Sequence, residues 1–168
     1  MSNARITDAL ARSVKVRSML KSFLEELEPE KWYWQPGEGI NHVAWQVGHL
    51  AFAQYGLCLK RVRGVAPEDE GMIPSAFLKM YGRGSTPQPG AESNSSVEEI
   101  LRVLDAVNDR THQELAQRTD AELDVPTNPA HPIFETNLGA VEWSSQHELT
   151  HIGQIVLLRR LMGLQPKW

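Results

Sequence analysis

Cysteine is almost missing from this chain: Cys58 is the single one among 168 residues. That excludes an internal disulfide framework and any Cys-rich zinc module, and it makes a reducing cytoplasm the expected compartment. Long apolar runs are missing as well. The longest of note, Ile155 to Leu158, falls far short of the ~20 residues of a membrane span, and the N-terminal segment lacks the apolar core of a secretory signal. There is no basic excess either, because the formal net charge is -4, which leaves no electrostatic footprint for nucleic acid. Strand-like alternation, internal repeats and low-complexity tracts are also lacking.

What is present is helical periodicity. From Asn3 to about Glu28, the residues Ile6, Leu10, Val14, Leu20, Leu24 and Leu27 recur at three- and four-residue steps or multiples of them, which predicts an amphipathic helix ended by Pro29. The stretch Trp32-Tyr33-Trp34-Gln35-Pro36-Gly37 reads as an aromatic turn that caps one end of the core. Asn41 is the expected N-cap of a second helix to about Arg63, stopped by Gly64, with Trp45, His49 and Phe52 in one stripe. Between Gly64 and Ser96 the pattern is broken by Pro67, Pro74, Pro87 and Pro89, and only Ser75 to Tyr81 fits a short helix. A connection of that length is either a cover over a pocket or a solvated crossover between parallel neighbours.

Ser95 or Ser96, with a Glu three residues on, gives a capping-box start to a third helix reaching about Arg118. Its inner stripe is Val97, Leu101, Leu104, Asn108, Thr111 and Leu115, and the two polar members need buried partners. After an irregular, proline-containing segment from Asp120 to Glu135, Thr136 caps a fourth helix, terminated by Gly163 and Pro166. The expected fold is therefore all-α, a four-helix bundle with long crossover loops, in a single domain over residues 1–168.

Within the fourth helix lies His147-Glu148-Leu149-Thr150-His151-Ile152-Gly153-Gln154. Four residues is just over one helical turn, so His147 and His151 share a face and can aim two imidazoles at one point. The same letters match the zinc-protease pattern His-Glu-x-x-His, in which a third ligand lies downstream. The residues from Ile152 to Trp168 include no His, Cys, Asp or Glu, so a third ligand has to come from His42, His49, His112 or His131. A His from the second helix facing the pair on the fourth suits a bundle core.

The segment Asn41-His42-Val43-Ala44-Trp45-Gln46-Val47-Gly48-His49-Leu50, followed about a hundred residues later by His147 to Ile155, resembles the DinB-like superfamily of bacterial four-helix proteins (the DinB/YfiT type). The resemblance covers nearly the whole chain in helix order and spacing. It implies His49, His147 and His151 as ligands of one divalent metal, and it implies a homodimer. The family includes transferases and isomerases that use low-molecular-weight thiols. One departure is Ile152, at a position where an Arg is frequent in relatives.

Three neutral imidazoles leave coordination positions open, as catalytic zinc sites do. Zinc and nickel are the leading candidates, and iron and manganese suit the same ligands. Glu148, about 100° round the helix from His147, is either a solvated side chain or a general base. Gln154 shares the face of His151, while Trp45 and Trp143, one turn before His49 and His147, are expected to wall the pocket. These features predict a metal-dependent enzyme acting on a small molecule, by thiol transfer or hydrolysis. The alternative is a non-catalytic stress or oligomeric bundle protein that the metal stabilises.

Overall fold

Side-chain caps mark the starts of three long helices in the computed structural model, which describes residues 2–165. The Ser96 hydroxyl accepts from the Glu99 N–H at 3.1 Å and opens a helix over Val97–Leu115. The Thr136 hydroxyl accepts from the Gly139 N–H at 3.0 Å and opens the helix Asn137–Leu161. At the helix Val43–Gln54 the cap is His42, whose Nδ1 accepts from the Trp45 N–H at 3.0 Å. The expected cap, Asn41, stands one residue too early. Each such bond satisfies one of the four N–H groups that a helix start leaves without a partner.

The helices are α1 (Ala4–Leu24), α2 (Val43–Gln54), α3 (Arg61–Arg63), α4 (Asp69–Met72), α5 (Ser75–Tyr81), α6 (Val97–Leu115), α7 (Asp120–Leu123) and α8 (Asn137–Leu161). A π-helical stretch, Tyr55–Lys60, joins α2 to α3 without interruption, so the predicted second helix is one rod with an extra residue wound into it. Gly64, at φ 85°, stops that rod. The first helix ends at Leu24, earlier than expected, because the chain reverses through Glu26 at φ 47° into a 3-10 turn over Pro29–Tyr33. Gly163 closes α8 at φ 79°, and the expected terminator Pro166 lies outside the described residues.

The chain is all-α: among the described residues the sole β pairing is an isolated bridge between Pro126 and Thr136. α2 packs on both α6 and α8, and α1 packs on α8. Side-chain bonds give the directions. Gln54 meets Asn108 and Arg63 meets Glu114, so α6 runs parallel to the α2–α3 rod. Arg5 meets Glu142 and Arg17 meets Glu148, so α8 runs parallel to α1. The segment between residues 64 and 96 is therefore a crossover between parallel neighbours, but not a solvated one. Its helix α5 lies against α2, with Phe77 and Tyr81 buried.

Two apolar clusters make the core. The larger draws Leu20, Val47, Leu50, Leu104 and Ile155 from four helices, with Trp32 of the aromatic turn buried in the same cluster. The smaller gathers Ile6, Cys58, Leu115, Leu138 and Val141. Each fully buried Leu or Ile contributes about 1.5–3 kcal/mol. Arg17 stands between the clusters. Its guanidinium donates to Glu148 Oε1 at 2.8 Å and Oε2 at 3.1 Å, to Gln54 Oε1 at 2.9 Å and to the Leu104 carbonyl at 3.3 Å. One side chain of α1 thus reaches α8, α2 and α6. The stripe expected on α1 is rotated accordingly: Val14 is exposed, while Val16 and Arg17 are buried.

Candidate metal centre

Gly48 and His49 are adjacent on α2, and the first makes room for what orients the second. A Cβ at Gly48 would lie 2.5–2.8 Å from carbons of the Tyr81 ring, so only glycine lets that ring settle on the helix. The Tyr81 hydroxyl accepts from the Ser95 N–H at 3.1 Å, which pins the residue in place. Its backbone carbonyl then accepts from His49 Nδ1 at 2.8 Å. A carbonyl cannot donate, so the proton sits on Nδ1, and Nε2 keeps its lone pair.

His151 is oriented in the same manner by different atoms. Its Nδ1 donates to Gln46 Oε1, and Gln46 Nε2 donates to Gln154 Oε1 at 2.6 Å. Nε2 of His151 is again the free nitrogen, and it lies 3.3 Å from Nε2 of His147. The ring centroid of His49 is 5.0 Å from that of His151 and 5.5 Å from that of His147. One ligand atom from each of the three residues lies within 4.8 Å of the others.

Burial, followed by the His49 charge, pushes the His147 pKa down to about 4. Burial, then His147 and His49, push His151 down to about 3, and burial lowers His49 as well. All three are neutral near pH 7 and offer lone pairs. The donor set fits a divalent ion: nitrogens held at ~2.0–2.1 Å in a tetrahedral arrangement stand ~3.3 Å apart, the spacing of the His147 and His151 pair. Orientation of ligating imidazoles by a carbonyl or amide on the other nitrogen is what metal sites require.

The walls are aromatic. Trp45 stacks on the His49 ring at 4.7 Å and 8°, and its Nε1–H donates to Ser85 Oγ at 2.9 Å. Phe52 stacks on the same imidazole at 5.6 Å. Trp143 is half-buried one turn before His147, and Gln154 is exposed at the outer end of the amide chain to His151. Glu148 is not solvated. It is 5% exposed, and both its oxygens accept from Arg17.

The other histidines have separate employment. His42 is fully buried, with Nδ1 capping α2 and Nε2 donating to the Gln88 carbonyl at 2.9 Å. His112 Nε2 pairs with Ser13 Oγ at 2.8 Å, and His131 lies flat on Phe134 at 4.1 Å. A surface hollow of about 520 Å³ along α6 and α7, lined by residues such as Arg110, Glu114, Arg118 and Glu122, holds charges that pair with one another. It brings no imidazole or thiol together. Sequence reasoning missed Gln46 and the Tyr81 carbonyl. An amide three residues before His49 on an otherwise apolar helix is a readable signal; a backbone carbonyl delivered by a distant segment is not.

The fold and the site together define an all-α protein with three convergent imidazoles contributed by two helices. The chain matches the family model of the DinB superfamily over residues 13–155, a span that includes all three histidines, and it belongs to that superfamily. No curated protein matches it. Among the described residues no helix is long and apolar enough to cross a membrane.

Proposed function

We propose that this chain is a metal-dependent enzyme in which His49, His147 and His151 hold one divalent ion, zinc or nickel before iron or manganese, and that it acts on a small molecule by thiol transfer or hydrolysis. The observation that carries the reading is the convergence of three neutral imidazoles, two of which, His49 and His151, already have their outer nitrogens committed. When bound, the ion supplies a Lewis acid that favours the ionised form of a thiol or of water.

The chain's own residues do the rest. Tyr81 and Gln46 hold two rings at fixed angles, so little reorganisation accompanies binding. Trp45 and Phe52 exclude water from one side of His49. His147, the least buried of the three, marks the side from which a substrate and its thiol partner enter. Glu148, bound through both oxygens to Arg17, serves the reaction as an anchor for the helix that carries His147 and His151 rather than as its base. The same reading carries a cytoplasmic homodimer that binds neither nucleic acid nor membrane.

A purely structural metal is the lesser reading, because Arg17 already ties the four long helices together without one. The test is elemental analysis of untagged wild type beside His147→Ala, followed by thiol consumption with a model electrophile. Near-stoichiometric metal that the variant loses, and turnover that His49→Ala abolishes, are the expected results. Turnover that persists without metal would refute the reading.

A further inference from the structure

Residues 81 to 85 read Tyr-Gly-Arg-Gly-Ser and carry one charge, that of Arg83. Both ends of this segment are fastened to the surroundings of His49. At one end the Tyr81 carbonyl receives the His49 Nδ1 proton at 2.8 Å. At the other, Ser85 Oγ receives the indole proton of Trp45, whose ring stacks on His49 at 4.7 Å. Between them the Ser85 N–H donates to the Gly82 carbonyl at 3.1 Å and closes a tight turn, with Gly84 in the left-handed region at φ 84°. Gly82 passes close enough to Phe52 that a Cβ there would sit 3.4 Å from its ring. Phe52 in turn stacks on His49.

Arg83 therefore stands at the tip of a hydrogen-bonded turn fastened beside His49. It is exposed, and among the described residues no carboxylate pairs with it. Several other arginines are spent: Arg5, Arg63, Arg110 and Arg118 all face carboxylates. Arg61 donates to Thr127 Oγ1 and to the Pro129 carbonyl at 3.0 Å.

Burial, then the Arg61 and Arg83 charges, lower the His131 pKa. Its Nδ1 accepts from the Ile133 N–H at 3.3 Å, which leaves the proton of the neutral ring on Nε2 as a second donor. An exposed guanidinium with no carboxylate partner among the described residues, on a turn braced against His49, is a recognition element for an anion.

We propose that Arg83 binds a carboxylate at one end of a small ligand whose other end reaches His49, His147 and His151, and so determines the substrate specificity of that site. This rests on the metal-dependent reading above. It adds that the substrate class is a small carboxylated molecule. Arg83 has no bond to the imidazoles, so its replacement leaves zinc content unchanged.

Zinc-loaded protein is titrated with 3-mercaptopropionate, 2-mercaptoethanol and propionate, and the Trp45 indole N–H and His131 ring resonances are followed by NMR. Wild type is expected to prefer 3-mercaptopropionate over 2-mercaptoethanol by about tenfold, the scale of one charge-assisted pair. Arg83→Ala should bring the ratio close to one, and Arg83→Lys should retain part of it, since lysine keeps the charge but not the fork. An unchanged ratio in Arg83→Ala, no preference in wild type, or no binding of any probe would each overturn the assignment. If propionate binding depends on Arg83 while neither thiol binds better than propionate, the Arg83 assignment stands and the metal-thiol reading of the site falls.

Discussion

Two polar layers cross the interior of this protein, and they differ in what they leave over. In the layer around Arg17, the guanidinium, the Glu148 carboxylate and the Gln54 and Asn108 amides meet one another, and both carboxylate oxygens are occupied. In the layer around His49, the supporting atoms are matched and the lone pairs at the centre are not. Adjacent residues of α8 serve the two: His147 faces the open layer and Glu148 the closed one. A closed buried network fixes which helices meet and in what register; an open one creates affinity for something from outside.

The largest effect should come from opening the closed layer. Glu148→Ala leaves Arg17 buried without its partner and should cost about 3–5 kcal/mol in urea unfolding. The pair Arg17→Met with Glu148→Leu should recover most of that loss. A single-variant cost below about 1 kcal/mol, the level of a surface pair, would erase the distinction between the layers.

Next comes closing the open layer. Zinc at a hundredfold excess over its dissociation constant should raise the unfolding free energy by about 2.7 kcal/mol. His147→Ala should abolish that rise, yet shift metal-free stability by no more than about 1 kcal/mol, because its ring completes no apolar core. Calorimetry with and without chelator reads both.

Gly48→Ala should cost about 1–3 kcal/mol by overpacking against Tyr81, and it should weaken zinc binding through the displaced carbonyl. Normal zinc affinity in that variant would show that the carbonyl does not orient His49.

The last effect shows only in acid and concerns Asp69, a second saturated carboxylate, which accepts from Arg63, Tyr55 and the Ala66 N–H. Its bond to Arg63 holds its pKa down from 3.8 to about 2. The unfolded chain therefore binds the proton first on acidification, and the stability Asp69 contributes is complete above pH 3.8 and lost as pH falls through about 2. Acid titration of the unfolding free energy should show that loss, and Asp69→Asn should lack it.

The four long helices and the His147–His151 pair were legible because their signals are local: a period near 3.6, a capping Ser or Thr, two His one turn apart; His49 was singled out among four candidates by the family resemblance. α5 was legible to the residue, Ser75–Tyr81, since Pro74 and Gly82 bracket it. What escaped depends on partners far away in the chain. Arg17 reads as a surface charge until Glu148, 131 positions on, neutralises it inside the core. Asn108 and Thr111 asked for partners, and Asn108 found Gln54, whereas the Thr111 hydroxyl has none among the described residues. The cap at His42 was misplaced by one residue because an imidazole can do the work usually expected of Asn.

The π-helical stretch Tyr55–Lys60 acts as one residue of slack in the rod. A regular helix turns about 100° per residue and the wider i→i+5 turn less, so the extra residue is taken up inside the stretch and the helix beyond it keeps its face. Upstream, His49 faces α8. Downstream, Arg63 meets Asp69 and Glu114, and Arg61 meets Thr127. Deleting a single residue from that stretch should restore the regular screw and leave both arginines on these partners and the imidazoles where they are. A deletion of the same size elsewhere in the rod has no bulge to absorb it and would turn one end away from its partners by about 100°.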